Sequence, residues 1–144
     1  MLAILLWCIS IGAGIFLYLL YFPTLGKAWF LEGLALCLEE RDTPWIASNS
    51  EAMESLLTGR HFKLHGGWTY SGYNFWGLAP SLFYSQSKLF AGFMRDYDKE
   101  AFQKLISELL HGQGLRPAII EAYGIPVSEI WERFIAHLKS KAHS

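Results

Sequence analysis

Residues Met1 to Phe22 are apolar almost without a break, interrupted only by Ser10, Gly12 and Gly14 among the small or polar types. Every Lys, Arg, Asp and Glu lies at or beyond Lys27. As a helix, this stretch spans about 33 Å, enough to cross a hydrocarbon core about 30 Å thick. A core helix of a soluble protein usually keeps one polar stripe, and this segment has none. A cleaved signal peptide fits less well, because no Lys or Arg opens the segment, the apolar run is long and no A-x-A site follows. The stretch therefore reads as a single-pass transmembrane helix, with 1–26 as membrane anchor and turn. Lys27 and Arg41 follow it and no basic side chain precedes it, which leans toward a cytoplasmic C-terminal part.

Beyond the anchor the apolar positions recur at helical spacing. Pro23-Thr24-Leu25-Gly26 breaks the first helix, and a second is predicted from about Lys27 to Arg41, stopped by Asp42-Thr43-Pro44. Ser48-Asn49-Ser50 offers N-caps for a short helix running through Glu51 to Leu57. Periodicity is lost from Arg60 to Ala79, where His61, Phe62, His65, Trp68, Tyr70, Tyr73, Phe75 and Trp76 lie among glycines. Such an aromatic stretch reads as a long ordered connection packed over something. Pro80 suits the first turn of a long helix to about Tyr97, with an apolar stripe of Leu82, Phe83, Leu89, Phe90, Phe93 and Tyr97. Asp98 caps a helix to about His111, with Phe102, Leu105, Ile106, Leu109 and Leu110 on one side. Leu115 to Tyr123 forms a shorter helix ended by Gly124 at a left-handed position. Ser128 is then expected as N-cap of a last helix through Ile130, Trp131, Phe134, Ile135 and Leu138. No segment alternates with period two. The expected fold is all-α: an N-terminal hydrophobic helix, then a compact bundle of about five to six helices over 27–144.

Composition narrows the functional classes. The 144 residues suit one domain, and 12 Lys+Arg against 13 Asp+Glu give a net charge of −1. That balance lacks the basic field of a nucleic-acid binder. With 52% hydrophobic and 16% aromatic residues, the chain is not an acidic disordered tail. Cys8 and Cys37 are the only cysteines, and they read as small buried hydrophobes rather than a disulfide framework.

Three places hold candidate chemistry. In the segment Trp29 to Glu40, Leu31, Leu34 and Leu38 share one helical face, while Glu32 points toward Ala28, Ala35 and Leu36. A carboxylate among small and apolar residues needs a cation or hydrogen-bond donors, which a metal would supply; the other reading has Glu32 facing water. Tyr84 lies away from the apolar stripe, on the side of Lys88, Ala91 and Arg95. It either faces solvent or donates a hydrogen bond in a cleft, where it could meet a developing oxyanion. His61 and His65 stand at i and i+4, a spacing that meets a metal on a helix. Here Phe62 occupies the place of the general-base Glu in H-E-x-x-H, and Gly66-Gly67 follows; two polar surface histidines are the alternative. His111, His137 and His143 sit near helix C-termini, where a cation complements the dipole.

Several of these segments together resemble a known family. Ala28-Trp29-Phe30-Leu31-Glu32-Gly33-Leu34-Ala35 resembles the W-L-x-E-G-x-A segment of gluzincin zinc metallopeptidases, specifically the bacterial peptidase-MA-like group. Phe83-Tyr84-Ser85-Gln86-Ser87 resembles that group's Y-x-Q-S helix start. Leu105 to Leu138, with Leu110-His111-Gly112, Ala118, Glu121-Ala122-Tyr123-Gly124 and Glu129-Ile130-Trp131, resembles its closing run of short helices. The likeness covers about residues 27–139. It implies Glu32 as the third zinc ligand and Tyr84 as the oxyanion donor, with two His and a Glu base coming from an H-E-x-x-H helix.

That helix is missing. It should precede Glu32 by roughly twenty residues, where the chain reads Ile9-Ser10-Ile11-Gly12-Ala13 and holds no His or acid before Glu32. One carboxylate cannot hold a catalytic zinc, and His61 and His65 come in the wrong order without the base. The expectation is a membrane-anchored C-terminal helical half of a gluzincin, inactive alone and without cofactor, with a cleft for a peptide or protein partner. Two alternatives stand beside it. One is a truncated or split zinc peptidase whose H-E-x-x-H half is encoded upstream or on another chain. The other is a structural helical membrane protein without protease ancestry.

Overall fold

The computed structural model describes residues 28–39, 44–64 and 78–143. The expected transmembrane stretch 1–22, Cys8, His65 and the aromatic run 65–77 lie outside the described residues. Six helices form: α1 Ala28–Leu38, α2 Asn49–Leu57, α3 Pro80–Tyr97, α4 Lys99–Leu110, α5 Leu115–Tyr123 and α6 Val127–Ala142. Among the described residues there is no strand. None of these helices is long and apolar enough to cross a membrane.

Local chemistry sets the boundaries. Ser48 begins α2 with a reciprocal capping box: its hydroxyl accepts from the Glu51 N–H, and the Glu51 carboxylate accepts from the Ser48 N–H at 2.9 Å. Pro80 occupies the first turn of α3, where a missing N–H costs nothing. Asp98 Oδ1 accepts from the Ala101 N–H at 2.9 Å and starts α4 directly after α3. The His111 ring N–H caps the end of α4 by donating from Nδ1 to the Ser107 carbonyl at 2.7 Å. Gly124, at φ 71°, closes α5 in the left-handed conformation that glycine adopts without a Cβ penalty.

The last helix departs from expectation. Pro126, not Ser128, is its N-cap, and Ser128 is the second helical residue. The Pro126 carbonyl accepts from Glu129 and Ile130 N–H groups at 3.0 and 3.3 Å. Starting at Val127 turns that side chain into the core, where it is 7% exposed, and places Val127, Ile130, Phe134 and Leu138 on one buried face.

α3 is the central element, packed by α1, α2, α4 and α6. The core is strongly aromatic. Phe90 touches Trp29 and Trp131, each at 4.9 Å between ring centroids, and Phe134 at 5.2 Å. Phe62 stacks on Trp29 and meets Trp131 edge-on. Phe30, Phe62, Phe90 and Phe134 are fully buried, each removing apolar surface worth roughly 1.5–3 kcal/mol. The Tyr123 hydroxyl donates to the Met94 carbonyl at 2.9 Å and ties α5 to α3. Burial first, and Asp98 second, hold that phenol protonated well above its ordinary range.

Two apolar stripes differ from those expected. On α1 the buried positions are Trp29, Phe30, Gly33 and Leu36, while Leu31 and Leu34 are half-buried at the edge of the core. On α3 the buried set includes Ser85, Gln86, Ser87 and Ala91 beside Phe83, Phe90 and Met94, whereas Leu82 and Leu89 are half-buried and Tyr97 is exposed. The burial of Gly33 on α1 and of Ser87 and Ala91 on α3 has one cause. The two helices meet through small residues, so the contact is hidden from a reading based on side-chain hydrophobicity. Leu110 also departs from its expected stripe, being 40% exposed.

Candidate functional site

The E-G-x-A and Y-x-Q-S segments lie on α1 and α3, and they meet; the third stretch, 105–138, runs through α4 to α6. Gly33 of the E-G-x-A segment faces the α3 backbone. A Cβ built on Gly33 would lie 2.3 Å from the Ser87 carbonyl oxygen, 2.7 Å from its carbonyl carbon and 3.0 Å from the Ala91 Cβ. One turn further along α1, the Cys37 thiol donates to the Lys88 carbonyl at 3.3 Å. Gly92 lies beside it: a Cβ at that position would sit 3.6 Å from Cys37 Sγ. Gly33 and Cys37 thus lie over the Ser87, Lys88, Ala91 and Gly92 surface of α3. Burial pushes the Cys37 thiol pKa up, against the smaller pull of Arg95 and Lys88, so the thiol is held in its protonated form at neutral pH.

Glu32 stands next to the crossing. It is half-buried, and burial raises its pKa above the ordinary value of 4.5. Among the described residues it has no hydrogen-bond or ion-pair partner. A carboxylate in such a place is costly when charged. The consequence for stability has a definite sign. A group whose pKa is raised by folding favours the fold when protonated, so its contribution is complete below pH 4.5 and falls as pH rises through the folded value. Glu32→Gln is uncharged at every pH and should be more stable than the parent at pH 8, with the gap closing near pH 4. Thermal melts of both proteins at the two pH values check this; an equal difference at both would show that the carboxylate is not strained by burial.

Tyr84 lies one turn before Ser87, and at roughly 100° per residue it shares a side with Ser87 and Ala91. The side that the sequence left as solvent or cleft is therefore the side of α3 that receives α1. Tyr84 is half-buried, with Trp45 edge-on at 4.9 Å and Phe83 at 5.5 Å between ring centroids. Trp45, in the connection before α2, is 57% exposed and was not singled out by sequence.

The remaining member of the Y-x-Q-S segment has a clear task. Gln86 is fully buried. Its Nε2 donates to the Arg60 carbonyl at 2.8 Å and to Ser55 Oγ at 3.1 Å, and its Oε1 accepts from the Phe62 N–H at 3.3 Å. Ser55 Oγ donates in turn to the Arg60 carbonyl at 2.6 Å. This network clamps residues 60–62, where the chain enters the aromatic run. It was missed at the sequence level, although Gln86 falls between Phe90 and Phe93 on the helical wheel, a placement that signals a buried polar group. Trp29 Nε1, Ser85 Oγ and Ser87 Oγ are buried without a hydrogen-bond partner among the described residues.

His61 lies in the clamped segment 60–62, outside α1 and α3, and His65 lies outside the described residues. His61 Nδ1 bonds the Phe62 carbonyl at 2.8 Å, and its ring packs 5.1 Å from Trp131. With Nδ1–H donating, only Nε2 is left as a metal-ligating nitrogen. Among the described residues no three His, Cys, Asp or Glu side chains come together to hold a metal. The described donor set therefore does not fit a catalytic zinc, which takes three protein ligands. What the crossing offers is one half-buried carboxylate, a tyrosine and an exposed tryptophan around a tight helix contact. No family model, curated protein or solved structure matches the chain.

Proposed function

We propose that this chain is a membrane-anchored remnant or fragment of a peptidase-MA-like gluzincin domain that binds a peptide or protein partner and does not hydrolyse it. The reading is supported first by the contact of Gly33 with the Ser87 backbone, which brings the E-G-x-A and Y-x-Q-S segments together across α1 and α3. The uncharged stretch 1–22 supplies the anchor in this reading. Glu32 contributes an acceptor for a partner's cationic or N–H group, and Tyr84 with Trp45 contributes an aromatic wall.

A second reading is favoured by the half-buried Glu32 carboxyl, which has no hydrogen-bond or ion-pair partner among the described residues. In a split metallopeptidase another chain would bring the H-E-x-x-H helix, and Glu32 would be its third ligand. The two readings separate on metal content. Isolated from membranes in mild detergent with any chain that co-purifies, and equilibrated with zinc, the full chain should retain only traces of it by elemental mass spectrometry, with no difference in Glu32→Gln, and a parallel alkaline wash should leave it in the membrane. Stoichiometric zinc, lost in Glu32→Gln, would overturn the non-catalytic reading. Release of the chain by the alkaline wash would remove the anchor from it.

A further inference from the structure

We draw no further inference here: the strongest candidate, the surface patch formed by the exposed Trp45 edge-on against Tyr84 beside the N-terminal end of α3, carries nothing because nothing in the structure shows what covers it.

Discussion

Gly33→Ala is expected to destabilise the protein by about 1–3 kcal/mol, and Gly33→Leu to prevent native packing altogether. Alanine is the better helix former by roughly 1 kcal/mol, so on an exposed helix the first substitution would stabilise. Here the added methyl meets the Ser87 carbonyl oxygen at 2.3 Å, and a backbone atom in the middle of α3 cannot swing aside as a long side chain would. α1 must move away from α3, which loosens Trp29 from Phe90 and breaks the Cys37 bond to the Lys88 carbonyl. Ala91→Gly in the same chain should restore little, since it relieves only the 3.0 Å contact and leaves the carbonyl in place. Thermal melts followed by near-ultraviolet circular dichroism of the detergent-solubilised full chain check this. A Gly33→Ala protein as stable as the parent, or more so, would mean that α1 does not approach α3 this closely.

Gln86→Leu is expected to cost about 2–4 kcal/mol. Leucine matches the shape approximately but satisfies none of the three hydrogen bonds. The Arg60 carbonyl keeps its 2.6 Å bond from Ser55 Oγ, so the acceptor side is partly rescued. The Phe62 N–H is not, because Gln86 Oε1 is the acceptor described for it. A buried, unpaired N–H carries a penalty of about 1–3 kcal/mol by itself. The loss should be read locally as well as globally. Arg60 and Lys63 are exposed on either side of the clamp, so trypsin cutting there reports its opening. Each 1.4 kcal/mol of lost clamp stability multiplies the open population about tenfold, and cleavage follows that population when reclosing is fast. Unchanged cleavage together with an unchanged melting temperature would show that Gln86 does not hold the segment.

Much of the helical plan was legible because its boundaries are decided locally. Ser48, Pro80, Asp98 and Gly124 each act within one turn of themselves, and their chemistry does not depend on the rest of the fold. Even there Pro126 displaced Ser128, since the burial of Val127 is a tertiary demand. The packing was less legible. Gly33 has no side chain to register in an apolar pattern, so its face was assigned to Leu31, Leu34 and Leu38. Its importance exists only once Ser87 and Ala91 lie opposite. Gln86 is decided by partners 24 to 31 residues away, which no window along the chain contains. Tyr84 is half-buried against the core, and what it faces depends on where α1 docks. The candidate site follows the same division. Glu32 stands beside Gly33 in a short motif, while its half-burial became visible only in three dimensions.

The contact between α1 and α3 carries both the packing argument and the proposed function, and an engineered cross-link tests it directly. The Cβ position of Gly92 lies 3.6 Å from Cys37 Sγ, and apart from its chain neighbours and the adjoining backbone of α3 no other described atom comes within 4 Å of it. In a chain carrying Cys8→Ser, Gly92→Cys would leave one possible thiol pair, placed within reach of disulfide geometry. Mild oxidation should then yield an intramolecular bond, found by mass spectrometry as a linked pair of peptides containing Cys37 and the new residue. Both thiols remaining free to alkylation in the folded protein would contradict the crossing, and with it the meeting of the E-G-x-A and Y-x-Q-S segments.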